Sequence, residues 1–147
     1  MIDINYNRQE KQYEWIEPES GERFTFPAKQ KHEAFRFAVS MLDSDLYAAA
    51  ERMIEDHPQL ERVTWRAVEL VCANAIEVFS APVAGVVAMV DSSDGYGRYA
   101  IEQHEHGFSC QCEHFTSLAA PLTQTGERYC KHLAAYRLHL RTRETRF

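Results

Sequence analysis

The feature of this sequence that most constrains its fold is a set of three cysteines and one histidine arranged in two short pairs. The first pair is Cys110 and Cys112, and the second, after seventeen intervening residues, is Cys130 and His132. Residues two apart on a β-strand point to the same face, so a strand would make Cys110 and Cys112 a pincer. Residues two apart inside an α-helix point about 200° apart. We therefore expect Cys130 and His132 to straddle the turn that begins the last helix.

Three thiolates and one imidazole are the ligands of a closed, tetrahedral zinc site. A disulfide is the alternative, but one that joins Cys110 to Cys112 would close a strained ring. Residues 1–10 contain no apolar leader, which predicts a cytoplasmic, reducing location where thiols stay free. The spacing therefore predicts one Zn²⁺ ion in a structural role. Its predicted ligands are Cys110, Cys112, Cys130 and His132.

The remaining cysteine and several histidines have simpler interpretations. Cys72 lies on the apolar face of a predicted helix and is expected to be a small core residue. His114, just beyond the first pair, is a possible rival ligand. We otherwise expect His104, His106 and His114 to be surface residues, and His139 to be an exposed residue of the last helix among its arginines.

The length and composition are those of an ordinary globular protein. The 147 residues suit one domain, or one domain with an appendage. Hydrophobic residues make up 45% and charged residues 26% of the chain, which argues against disorder. The longest apolar run, 81–90, is broken by Pro82 and Gly85 and is too short to span a bilayer. The sequence therefore predicts no membrane partner.

The formal net charge of −6 is unevenly distributed. Residues 1–127 carry a net charge of −11, and residues 128–147 carry +5. The acidic body excludes a protein whose whole surface is basic for nucleic acid, but a basic tail can bind nucleic acid or an acidic surface. The alternative is a solvated, arginine-rich helix end. Arg146 adds to the basic charge, and the candidate nucleic-acid-binding residues are Arg128, Lys131, Arg137, Arg141 and Arg143.

Hydrophobic periodicity and turn residues predict an α+β protein in two parts. Residues 1–80 form an N-terminal β-hairpin and helical region, and residues 81–147 form a zinc finger with a basic C-terminal helix. Residues 1–11 are expected to be loose, and residues 113–129 form a long connection. The predicted helices are 30–42, 45–56, 60–79 and a last helix from 130. The predicted strands are the hairpin strands 12–17 and 22–26, and a three-stranded antiparallel meander of 83–90, 98–104 and 108–112.

The two cysteine-containing pairs resemble the motif of the SWIM zinc-finger family, which reads Cys-x-Cys, a variable spacer and Cys-x-His. The matching residues are Cys110, Cys112, Cys130 and His132, and the resemblance extends over residues 83–140. Family members commonly read Cys-x-Cys-Pro-Asp-Phe, whereas this chain has Glu-His in place of the Pro-Asp. The resemblance implies a small ββα-like zinc unit that binds DNA or proteins.

These observations predict a non-enzymatic protein without a small-molecule substrate. The chain has no glycine-rich phosphate-binding loop, and a zinc hydrolase would need an open zinc position and a base such as Glu113. Our first hypothesis is a nucleic-acid-binding accessory protein that acts through its basic C-terminal helix. The alternative is a protein interaction adaptor in a DNA recombination, repair or mobile-element assembly, with zinc purely structural. The adaptor would use the apolar helix faces at 35–53 and 65–79, unless both are internal.

Overall fold

The computed structural model of the chain describes residues 2–92 and 95–143. It combines helices with two antiparallel sheets, which confirms a mixture of helix and sheet. The chain divides into two compact units, Met1–Ala48 and Ala49–Phe147. Arg146, which is counted in the basic charge of the C-terminal segment, lies outside the described ranges.

The first unit contains a three-stranded antiparallel sheet and a helix, α1. Strands β2 (Gln12–Ile16) and β3 (Arg23–Pro27) pair antiparallel and confirm the predicted hairpin. On one face of the sheet, Trp15 is buried and its ring stacks on Phe24 with centroids 5.7 Å apart. Phe37 of α1 lies against both rings, so aromatic burial joins the helix to the sheet. The bounds are β1 Asn5–Asn7, β2 Gln12–Ile16, β3 Arg23–Pro27 and α1 Lys31–Leu42.

The expectation that residues 1–11 are loose is wrong, because they contain strand β1. The Asn7 side-chain oxygen accepts hydrogen bonds from the backbone N–H groups of Gln9 and Glu10, at 3.0 and 3.1 Å. Lys11 then adopts a left-handed conformation with φ of 54°. This local turn chemistry folds β1 back onto β2.

Two helices follow β3 and α1 at the predicted places. Helix α2 spans Ser44–Asp56, and α3 spans Glu61–Cys72 after a 3₁₀ turn at Pro58–Leu60. A carboxylate oxygen of Asp43 accepts a hydrogen bond from the Leu46 N–H at 3.2 Å. This cap separates α1 from α2, as the predicted break after residue 42 requires.

Helix α3 is shorter than the predicted helix 60–79, because a Schellman motif ends it. Asn74 adopts the left-handed conformation, with φ of 54°. Its N–H donates to the Val71 carbonyl at 3.1 Å, and the Ala75 N–H donates to the Leu70 carbonyl at 3.0 Å. The apolar residues that follow therefore belong to a strand.

The second unit contains a four-stranded antiparallel sheet, not the predicted three-stranded meander, and its strands are neighbours in chain order. The additional strand is β4 (Ile76–Val83), in which Ile76 pairs with Val90 and Val78 pairs with Ala88 of β5 (Val86–Asp91). Pairing with β5 satisfies backbone groups that the prediction assigned to a helix. The bounds are β4 Ile76–Val83, β5 Val86–Asp91, β6 Arg98–His104 and β7 Gly107–Cys110.

The last helix, α5, spans Lys131–Thr142 and lies inside the second unit. It packs against α3 and against the sheet, and Ala134 and Leu138 are fully buried. A short helix, α4 at Glu113–Thr116, interrupts the predicted connection 113–129. Most of α5 is therefore core, because only a few of its side chains are exposed to solvent.

Candidate metal centre

The structure brings the four predicted metal ligands together in one buried cluster. Cys110 ends β7, Cys112 precedes α4, Cys130 precedes α5, and His132 lies in the first turn of α5. Each is at most 3% exposed. Their donor atoms all lie within 4.8 Å of one another. The cluster could therefore hold a metal ion, which confirms that these residues form a plausible metal site.

The first pair is not the strand pincer that its spacing predicts, because β7 ends at Cys110. The Gln111 side-chain oxygen accepts a hydrogen bond from the Ala100 N–H at 3.2 Å, which closes the end of the sheet. The chain then turns, and the carbonyl of Cys112 accepts from the N–H groups of Phe115 and Thr116 at 3.2 and 3.0 Å. Cys112 is thus the N-cap residue of α4, with φ of −67° and ψ of 154°.

The second pair straddles the start of α5, as predicted. Cys130 is the N-cap residue, with φ of −85° and ψ of 171°. Its Sγ accepts a hydrogen bond from the Leu133 N–H at 3.4 Å. The positive end of the helix dipole also favours negative charge on this sulfur. The change from extended to helical backbone turns the side chains of Cys130 and His132 toward one point.

The spacing of the donor atoms fits a tetrahedral ion. With Zn–S distances of about 2.3 Å and Zn–N distances of about 2.0–2.1 Å, a sulfur and a nitrogen ligand lie about 3.5 Å apart. Cys110 Sγ and His132 Nδ1 lie 3.8 Å apart. Small shifts of these side chains would bring the two atoms to the distance of a tetrahedral zinc site. Nδ1 is therefore the nitrogen of His132 that would bind the metal.

The other imidazole nitrogen of His132, Nε2, is buried and has no hydrogen-bond partner among the described residues. A metal-bound histidine usually donates this N–H to a carboxylate or a carbonyl oxygen. Here the imidazole packs against Tyr99, whose ring centroid lies 4.9 Å from that of the imidazole at an interplanar angle of 46°. Packing on Tyr99, which is not among the predicted site residues, therefore orients the ring.

The three cysteines of the cluster shift one another's pKa values. The hydrogen bond between Cys110 and Cys112 raises the pKa of Cys110 and lowers the pKa of Cys112. For Cys130, the hydrogen bond with Cys110 lowers the pKa, but the hydrogen bond with Cys112 and burial outweigh it and raise the pKa to about 11. These shifts favour the thiolate form at Cys112 and the thiol form at Cys110 and Cys130. A metal ion would replace their protons.

The other candidate ligands lie outside this cluster. His114 is an exposed residue of α4 and does not belong to the cluster of four donor residues. Cys72 is half-buried at the end of α3, which corrects its expected place in the core.

The predicted nucleic-acid-binding residues do not form one exposed face of α5. Nη1 of Arg128 donates to the backbone carbonyls of Leu118 and Ala120 at 2.7 and 2.5 Å. The Arg137 guanidinium lies 5.8 Å from the centre of the Phe108 ring. The remaining three differ in burial, with half-buried Lys131, exposed Arg141 and half-buried Arg143. Nucleic-acid binding by this set stays a prediction.

The connection 113–129 is held by residues that carry no motif signal. The Gln124 N–H donates to His57 Nδ1 at 3.0 Å. The Gln59 side-chain amide donates to the Leu122 carbonyl at 2.6 Å. These contacts join residues far apart in the sequence, so local patterns do not reveal them.

The apolar helix faces proposed for an adaptor are largely internal. Residues at both faces are buried, including Val39, Leu46, Ala50, Met53, Val68 and Val71. Among the described residues, no helix is both long enough and apolar enough to cross a membrane.

No protein-family model, curated protein or solved structure matches the chain. The resemblance to the SWIM family therefore rests on the motif residues alone.

Proposed function

We propose that this chain is a non-enzymatic, SWIM-type zinc protein in which one Zn²⁺ ion has a structural role. The observation that carries the proposal is the buried cluster of four donor atoms within 4.8 Å of one another. Thiolate and imidazole donors suit zinc, and four protein ligands leave no open position for a substrate. The ligands are Cys110, Cys112, Cys130 and His132.

The position of the cluster explains why zinc would stabilise the fold. The ion would join the end of β7 and the start of α4 to the start of α5. The connection between these elements contributes little core, since Ala120, Thr123 and Tyr129 are its buried residues. Structural zinc sites supply about 10–16 kcal/mol of apparent binding energy in small peptides. Even a fraction of this binding energy would stabilise the connection 113–129 strongly.

The test is metal content by elemental analysis, together with thermal unfolding, for three full-length proteins. We expect one zinc ion per wild-type chain, and loss of zinc and stability in Cys130→Ala. Cys72→Ala is the matched control, because Cys72 is a cysteine outside the cluster, and it should keep its zinc. Full zinc and full stability in Cys130→Ala would contradict the ligand assignment.

For the partner, we propose nucleic acid bound at the C-terminal end of α5. The support is the net charge of +5 over residues 128–147 and the exposure of Arg141. Such binding should weaken with salt, with a log–log slope of about −0.9 per phosphate contacted on duplex DNA. Arg141→Gln should make this slope less negative by about 0.9, which is the contribution of one phosphate contact. No gel retardation of single- or double-stranded DNA at low salt would refute nucleic-acid binding.

A further inference from the structure

A cavity of about 250 Å³ lies beside the candidate metal centre. Three of the four ligand residues line it, namely Cys112, Cys130 and His132, whereas Cys110 is not among the lining residues. The cluster therefore has one side that faces a space large enough for part of a small molecule.

Charged side chains from three elements surround this cavity. Arg66 of α3 and Lys131 of α5 carry positive charge, and Glu113 and His114 belong to α4. Arg66 is exposed, and no described residue forms a hydrogen bond or an ion pair with it. Three thiolates around a divalent ion leave a net charge of about −1. Without Arg66, an anion that approaches this site would meet mainly negative charge.

We propose that the cavity is an exchange site for small anionic chelators with carboxylate donors, which Arg66 guides to the bound metal ion. The inference rests on the proposed function, because it requires a metal ion in the cluster. The volume is below the range of about 300–1,000 Å³ typical of drug-sized ligands, so one carboxylate arm enters at a time. A carboxylate oxygen forms a bond to the metal as a metal–sulfur bond breaks. The released thiolate takes a proton from water, and no oxidation state changes.

The experiment measures metal release from the full-length protein loaded with Co²⁺, whose thiolate charge-transfer absorption reports the bound ion. The released ion is captured by EDTA, an anionic chelator, or by 1,10-phenanthroline, a neutral one, at low ionic strength. Arg66→Glu should slow release to EDTA by about 5- to 10-fold, since it reverses a charge within a Debye length of the incoming anion. Release to phenanthroline should change less than about 2-fold.

The matched control is Arg52→Glu, which makes the same charge change at an exposed residue outside the cavity. It should leave the EDTA rate within about 2-fold of the wild type. Arg66→Gln should give an intermediate rate, and it replaces Arg66→Glu if that variant does not fold.

Two results would overturn the proposal. One is equal slowing by Arg66→Glu and Arg52→Glu, which would mean that only total charge matters. The other is a release rate independent of EDTA concentration, which would mean that the metal leaves before the chelator binds. A failure of the proposed function is distinguishable, because the wild-type protein would then show no Co²⁺ absorption before chelator is added.

Discussion

Replacing Arg128 by methionine tests whether this arginine stabilises the fold or binds a phosphate. Its Nη1 donates to the carbonyls of Leu118 and Ala120 at 2.7 and 2.5 Å. A hydrogen bond from a charged donor contributes about 1.5–3 kcal/mol, and a bond between neutral groups about 0.5–1.5 kcal/mol. Both bonds have the charged guanidinium as donor. The bond to Ala120, which is 2% exposed, should keep most of the charged-donor contribution, whereas solvent weakens the bond to Leu118, which is 68% exposed. Methionine keeps most of the stem, so we expect a loss of about 2–3 kcal/mol in the free energy of unfolding.

The assay is urea unfolding of the metal-loaded protein, followed by circular dichroism. With an m-value of about 2 kcal/mol/M, the midpoint should fall by about 1–1.5 M. Arg62→Met is the control, because Arg62 is exposed on α3, and its effect should stay within about 0.5 kcal/mol. Equal midpoints for the two variants would refute the reasoning. A normal midpoint in Arg128→Met with a weaker salt dependence of DNA binding would instead assign this arginine to a phosphate.

Three further predictions concern titration and backbone conformation. The pKa values of Cys110 and Cys130 are raised, so both thiols must lose a proton when a metal ion binds, and the apparent zinc affinity should rise with pH. A chelator competition titration measures this affinity, and a flat pH profile would argue against metal binding through these two thiols. Burial raises the pKa of Tyr129, so its contribution to stability is present below about pH 10, the ordinary tyrosine pKa, and is lost as pH rises through the higher folded-state pKa. An absorbance titration should show one tyrosine that ionises at higher pH than the others, and this step should be absent from Tyr129→Phe. Asn74→Val should lower the free energy of unfolding by about 1–2 kcal/mol and Asn74→Gly should not, because only the first strains the left-handed conformation; equal thermal unfolding of the two variants would argue against the Schellman motif.

Helix α3 and strand β4 show how far the sequence could predict the fold. Ala75, Ile76 and Phe79 continue the apolar spacing of a helix, but Ile76 and Val78 also have the spacing of a strand. Asn74 is the local signal that the helix ends. The pairing of Val78 with Ala88 then decides in favour of the strand. That pairing joins residues distant in the sequence, so no local pattern contains it.

The sequence by itself determined the four candidate ligands, because metal chemistry requires those side chains and short spacings limit how the backbone presents them. It also determined helices α1 and α2, whose apolar spacing and Asp43 cap are local properties. Only the tertiary structure decided which nitrogen of His132 faces the sulfurs, and that Tyr99 packs on its ring. It likewise decided that Arg128 binds backbone carbonyls and that most of α5 is buried. The physical reason is that a basic side chain looks the same in the sequence whether it lies beside a carbonyl or in solvent, and only packing distinguishes the two.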